Sequence, residues 1–349
     1  MTTSLVVTRV KPTSAGAAPT KPPLPLEVVS SAPAPDATDV ATDAPISVTF
    51  TVPLATGTPV PSLSPSVPGS WVQTSADVLA FDASAPLPPG ASVALTVPGG
   101  SQGVRGARGQ LLDQSLTTHF TVAPMTMLRT QQLLAQLGYL PLTFAPSSPA
   151  TVAANEVAAP LVGTFTWRYA MPASFTSLWS PGQANVVTQG AIMALESQRG
   201  LTTDGVAGPK VWSALLQALA ANQTDTDPNY DWVDVATSLP EHVNVWRNGQ
   251  IVYTTKANTG IEAAPTEQGT WPVYARYTST TMSGFNPDGS HYSDPGVPWV
   301  SYFHGGDALH GFNRSSYGYP QSLGCVEMPP ANAGVVYPYT PLGTLVTIE

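Results

Sequence analysis

ALHGFNRSSYGYPQSLGCVEM, residues 308–328, holds the one cysteine of a 349-residue chain, Cys325, and a histidine, His310, fifteen positions before it. A free thiol with a pKa near ~8.5 is only a few per cent ionised at neutral pH, so a cysteine nucleophile needs a neighbour that takes its proton. An imidazole can do this. The Gly, Tyr and Pro residues at 316–320 offer a turn, so that one strand can leave and a second return beside it. Gly324, directly before Cys325, lets the backbone approach a substrate carbonyl, and the amides around 323–325 could then hold the oxyanion of a tetrahedral intermediate. The segment predicts a Cys325–His310 pair for acyl transfer. A lone cysteine in a soluble protein is more often a small buried hydrophobe, so the reading rests on what flanks it.

Outward from this segment the chain alternates in hydropathy. Val243 and Val245 precede an Asn-Gly pair at 248 and 249, and Ile251 and Tyr253 follow it, the strongest short hairpin signal in the sequence. Trp271, Val273 and Ala275, then Trp299 to Phe303, then Leu345 to Ile348 continue the pattern. A β-rich C-terminal domain is predicted over 236–349, preceded by an acidic linker at 222–235. HG at 310 and 311 followed by SLGCVEM resembles the L,D-transpeptidase catalytic domain. Further points of likeness are TKANTG at 254–259, TEQGTWPVY at 266–274 and VPWVSYFHGGDALHG at 297–311.

The resemblance implies that Cys325 attacks, that His310 is the base and that the carbonyl of Gly311 holds its ring. Ser322 matches a serine three positions before the family's cysteine, and Tyr302 and Trp299 either line the substrate cleft, by analogy with aromatics of the family, or pack in the core. Two departures stand out. Leu323 replaces a second histidine, and Glu327 stands where the family carries Asn or Arg, a position from which it is expected to repel a substrate carboxylate. The family's chemistry needs no cofactor. Its partners are peptidoglycan, as tetrapeptide stems and glycan, and carbapenem β-lactams as inhibitors. The implied activity is crosslinking through an acyl-enzyme, with a carboxypeptidase or endopeptidase on the same site, or a decayed wall-binding scaffold, as alternatives.

Upstream, MTMLRTQQLLAQLGYLP places Met127, Leu134 and Leu137 on one helical face and stops at Gly138. A second helix is read over about 189–199, ended by Gly200, and a third holds Trp212 and Leu215, with tight turns in DGVAGP at 204–209. LGYLP at 137–141, AIMALESQRGL at 191–201 and DGVAGPKVWSALL at 204–216 resemble the three-helix peptidoglycan-binding domain. It would occupy 124–221 with an insertion at 142–186, in which Phe165, Trp167 and Tyr169 alternate as in a hairpin, packed on the helices or stacked on sugar. From 25 to 123, period-two runs such as Ile46, Val48, Phe50 and Val52 read as a β-sandwich, and PAPDATDVATDAPISVTFTVPL at 33–54 resembles bacterial Ig-like domains. Residues 1–24, rich in Pro, Thr, Ala and Ser, read as a flexible tether. The fold class is thus mainly β and multidomain.

The composition narrows the partners. A formal charge of −9 and no basic stripe argue against nucleic acid. A single cysteine rules out an intramolecular disulfide, and no HExxH or cysteine-pair spacing supports a metal site around His291, His304 and Asp307. No export signal is visible at the N-terminus, so the expected extracytoplasmic, cell-wall location rests on the chemistry alone.

Overall fold

The computed structural model describes residues 24–148 and 158–349; the tether read over 1–24 lies almost wholly outside them, as does part of the 142–186 insertion. The first domain is a two-sheet sandwich. Its strands are β1 (Val28–Ala32), β2 (Ile46–Phe50), β3 (Ser62–Ser64), β4 (Gly69–Ser75), β5 (Val78–Ala83), β6 (Ser92–Val97) and β7 (Leu116–Thr121). They form one sheet in the order β1-β2-β5-β4 and another in the order β3-β6-β7. Alternation sends Val48 and Phe50, Val93 and Leu95, and Phe120 into one core between the sheets. Leu116, the first residue of β7, is exposed.

The middle segment contains α1 (Met127–Gln136), β8 (Leu142–Pro146), β9 (Gly163–Trp167), α2 (Ala173–Thr176), α3 (Val186–Arg199) and α4 (Pro209–Ala220). Each long helix starts where the chemistry allows. Thr126 accepts from the Arg129 amide, Asn185 accepts from the Thr188 amide, and Pro209 opens α4, where its missing N–H costs nothing. Asn185 sets the start of α3 earlier than the apolar period alone indicates. Gly200, left-handed at φ 66°, ends it.

The expected three-helix unit is not evident as a free-standing module. Among the described residues the segment has four helices and a hairpin, and its core is completed by Trp232 and Leu345 of the following domain. The hairpin aromatics pack inward: Phe165 lies 5.0 Å from Phe144 and 4.9 Å from Trp179, and Trp167 6.0 Å from Phe175. Helix α3 meets the turn before the last strand through glycines. A methyl on Gly190 would lie 2.4 Å from the Gly343 carbonyl oxygen, so only a bare backbone fits there.

The C-terminal domain comprises β10 (Asp231–Ala236), β11 (His242–Arg247), β12 (Gln250–Lys256), β13 (Gly269–Pro272), β14 (Ala275–Phe285), β15 (His291–His304), β16 (Asp307–Gly311), β17 (Val326–Met328), α5 (Pro330–Val336) and β18 (Leu345–Ile348). One sheet runs β12-β11-β10-β18-β13 and the other β14-β15-β16-β17. Valines 233, 235, 243 and 245 of the first face Phe303, Leu309, Val326 and Met328 of the second across one core. The Asn248-Gly249 turn has φ of 54° and 76°, both left-handed, as a two-residue hairpin requires.

The boundary at 236 is corrected. Strand β10 starts at Asp231 and lies inside its sheet, between β11 and β18, so residues 231–235 are core rather than linker. Its acids are partnered: Arg247 donates Nε and Nη2 to the Asp231 carboxylate at 2.8 and 2.7 Å, and the Asn244 amide donates to Asp234 at 3.1 Å.

Trp232 joins the two regions. It is fully buried, 5.0 Å from Phe175 and 5.2 Å from Trp246, and its indole N–H donates to Thr347 Oγ1 at 2.9 Å. Trp232→Ala is expected to cost about 3–5 kcal/mol of stability. Denaturant unfolding followed by far-UV circular dichroism and by tryptophan fluorescence should move to lower denaturant in both signals together, because one core serves both regions.

Candidate active site

Strands β16 and β17 run parallel, with Leu309 opposite Val326, His310 opposite Glu327 and Gly311 opposite Met328. This register brings His310 beside the residues that follow Cys325. Both side chains line a pocket of about 360 Å³, with Met282, Tyr292, Asp294 and Leu323 among its other walls. The β14–β15 hairpin supplies Met282, Tyr292 and Asp294; Met282 and Asp294 face each other across its two strands.

The chain around Cys325 is held from below. Asn258 exchanges two backbone hydrogen bonds with Glu327, both 2.9 Å, and the amides of Gln321 and Ser322 donate to the Thr259 carbonyl at 2.9 and 3.0 Å. Thr259 in turn is fixed by Glu241, a buried carboxylate that accepts from the Thr259 amide at 2.6 Å and its hydroxyl at 2.7 Å. Gly324 has a φ of 110°, and a methyl there would sit 2.3 Å from Asp307 Oδ1, so the turn into Cys325 admits only glycine.

His310 is buried, and its Nδ1 lies 3.1 Å from the Gly311 carbonyl oxygen. A carbonyl can only accept, so Nδ1 carries a proton, and in the neutral ring Nε2 is then the free base. Burial, the largest influence, holds the imidazole pKa below its ordinary value, which keeps the ring neutral at physiological pH. The ring stands edge-on to Phe312 at 6.0 Å.

Cys325 is partly accessible yet surrounded by protein. Burial pushes its thiol up to about 12; the Ala308 amide opposes the rise, and the charges of Asp307 and Glu327 add to it. Its Sγ lies 3.8 Å from the Gly306 carbonyl oxygen. The resting pair is therefore a neutral thiol and a neutral imidazole, and proton transfer accompanies attack.

Three other residues singled out in the sequence take different places. Ser322 points inward: its hydroxyl donates to the Cys325 carbonyl at 2.5 Å and it is buried, so it shapes the cysteine turn rather than lining the pocket. Trp299, in a left-handed conformation at φ 59°, packs on Tyr337 at 5.5 Å and against Gly334 of α5, away from the pocket. Tyr302 packs on the same small apolar cluster as Cys325, between Tyr274 and Tyr277, and is not among the residues that line the pocket.

Glu327 departs most from expectation. Rather than projecting a free charge, it accepts from Arg314 Nε at 2.7 Å and Nη2 at 2.8 Å, a fork-to-carboxylate pair. Arg314 also lies over the Phe312 ring, 4.8 Å from its centroid. Among the described residues, no group of three or more His, Cys, Asp or Glu side chains is placed to hold a metal ion.

Residues 231–348 match the family model of the L,D-transpeptidase catalytic domain. The chain carries an L,D-transpeptidase catalytic domain. Residues 22–122 match that of the bacterial Ig-like domain, in agreement with the sandwich. Among solved structures, the chain is similar to the catalytic domain of an E. faecium L,D-transpeptidase acylated by ertapenem, at 23% identity and TM-score 0.32, over 34% of this chain and 97% of that one. It is also similar to an L,D-transpeptidase from Mycobacterium smegmatis, at 13% identity and TM-score 0.32, over 93% and 100%. A third is L,D-transpeptidase 3 from Mycobacterium tuberculosis with a faropenem-derived adduct, at 12% identity and TM-score 0.31, over 92% and 97%. No curated protein matches the chain.

Proposed function

We propose that this protein crosslinks peptidoglycan outside the cytoplasm, with Cys325 forming an acyl-enzyme on tetrapeptide stems. The observation that carries the reading is the shared pocket of Cys325 and His310, with the His310 ring turned by Gly311 so that Nε2 is the base. His310 takes the thiol proton as sulfur bonds to the carbonyl carbon of the stem's third, diamino-acid residue. The tetrahedral oxyanion is held by amides around Gly324. When it collapses, the C–N bond to the terminal D-alanine breaks, and its nitrogen takes the proton from His310. A neighbouring stem's amine then attacks the thioester, His310 accepts its proton, and the thiol is restored.

The helical segment, through its likeness to a peptidoglycan-binding domain, would keep the enzyme on glycan and raise the local stem concentration. The Ig-like domain would act as a spacer. Carbapenems, which acylate the same kind of thiol, are the expected inhibitors.

Purified tetrapeptide muropeptides incubated with the protein and followed by mass spectrometry test the activity. New dimers are expected, and they should be lost in Cys325→Ala. Shortened monomers without dimers would assign the same acyl-enzyme to hydrolysis, and unchanged substrate would leave a wall-binding scaffold.

A further inference from the structure

The connection between α3 and α4, residues 200–208, is fastened from inside the fold by the Glu196 carboxyl group of α3. Glu196 is 2% exposed, and its Oε2 accepts from the amides of Asp204 at 3.0 Å and Gly205 at 2.8 Å. Its carboxyl also hydrogen-bonds to that of Asp204, whose Oδ1 accepts from the Val206 amide at 2.9 Å. Two carboxyl groups can share such a bond only if one of them holds a proton. The cations on the surrounding helices do not neutralise the pair. Arg199 of α3 donates to Gln223 Oε1 at 2.6 Å and Arg129 of α1 to Gln132 Oε1 at 3.3 Å, and neither Arg199 nor Lys210, the exposed residue after Pro209, forms an ion pair with either acid among the described residues. Burial is the largest influence on Glu196, and with Asp204 it lifts the acid to about 7 against the two amides, which lower it.

What the loop leads to is the seat of the Ig-like domain. It runs into Pro209 and the first turn of α4, where Gly90 of the sandwich lies so close that a methyl on it would sit 2.5 Å from the Trp212 ring and 3.3 Å from Pro209. A cleft of about 550 Å³ continues this contact, with Pro65, Pro88 and Ala91 on one side and Leu201, Pro209 and Lys210 on the other. We propose that Glu196 and Asp204 form a proton-held clasp: closed while Glu196 carries its proton, it seats the Ig-like domain on α4, and loss of that proton releases the loop and loosens the seat. The folded loop holds the acid above its ordinary value of 4.5, so closure takes up a proton; the clasp is tightest in acid, weakens as pH rises through about 7 and stays weak above it. The reach of the Ig-like spacer then responds to pH independently of the Cys325 pocket.

Hydrogen exchange of the full-length protein, read by mass spectrometry as protection factors between pH 5 and 9, tests the clasp. Protection of peptides covering 201–208 is expected to fall by about tenfold or more across the range, with a midpoint of about 7, while peptides from β10 and β11 keep theirs. In Glu196→Gln, whose amide accepts from the same N–H groups and donates to Asp204, protection should not depend on pH. In Asp204→Ser the neighbouring charge is gone and a hydroxyl donates to the Glu196 carboxylate, so the fall should move to lower pH. Small-angle scattering of the same samples should give a larger radius of gyration at pH 9 than at pH 5 for the unchanged protein, and one radius at both for Glu196→Gln. A flat profile in the unchanged protein, or a fall of equal size and midpoint in all three proteins, would overturn the clasp. A loop that responds while the radius does not would overturn its link to the Ig-like domain.

Discussion

His310→Asn is expected to lower the rate of acylation at pH 7 by about 10²–10⁴-fold, the range for loss of a positioned general base. The effect is large because the thiol gets little help from elsewhere. Its pKa is pushed up to about 12, so spontaneous thiolate is scarce at neutral pH and the proton must leave during attack. Two pH profiles follow. In the unchanged protein the active form needs neutral His310, whose pKa is lowered from 6.5 by burial, so activity persists to pH values below 6.5 and falls only as the ring takes up a proton. In His310→Asn the residual rate should follow hydroxide, rising tenfold per pH unit until the thiol itself titrates near 12. Stopped-flow acylation by a carbapenem between pH 5 and 10 measures both. A residual rate that is flat with pH would mean that a different group removes the proton.

Arg314→Ala is expected to destabilise the protein by about 3 kcal/mol, at the low end of what removing one partner of a buried ion pair costs. The Glu327 side chain is only 6% exposed and would be stranded, whereas Arg314 is 31% exposed, so water softens the loss. The buried partner decides the size of the effect. Arg314→Ala with Glu327→Gln should recover most of it, since a neutral amide is far easier to bury than an unpaired carboxylate. Thermal unfolding of the two variants beside the parent checks this. A loss in the single variant no larger than in the double would place the cost in the Arg314 packing over Phe312 rather than in the pair.

The pair also shows where reading from sequence stops. Cys325 and His310 were legible because their chemistry is local, a thiol and an imidazole on either side of one loop; the Gly311 contact was implied by the family resemblance, and the ring does lie against that carbonyl. The Asn248-Gly249 hairpin and the glycine stop of α3 were legible for the same reason, since left-handed backbone demands particular residues. Glu327 was misjudged as a free charge because its partner lies thirteen residues earlier, and nothing in the intervening loop announces the contact. Ser322 and Trp299 were misplaced because side-chain direction depends on local backbone. The Ser322 hydroxyl turns back to the Cys325 carbonyl, and the left-handed bend at Trp299 carries its ring to the α5 side.

Strand β10 was hidden by its acids. Asp231 and Asp234 read as linker until Arg247 and Asn244 are seen across the sheet. Glu241, which supports the cysteine turn through Thr259, carried no local signal either, because its partners become neighbours only when the sheet forms. The middle helices were found near their places, but the closure of their core by Trp232 and Leu345 depends on contacts that no periodicity reveals.

The central claim is that the sulfur of Cys325 carries the acyl group. The most direct measurement is intact-protein mass after brief mixing with a synthetic tetrapeptide donor and acid quench, followed by peptide mapping of the adduct. The expected mass gain equals the donor minus its terminal D-alanine, it maps to the peptide containing Cys325, and it is absent in Cys325→Ala. An adduct of the same mass in Cys325→Ala, or on any other residue of the unchanged protein, would contradict the account.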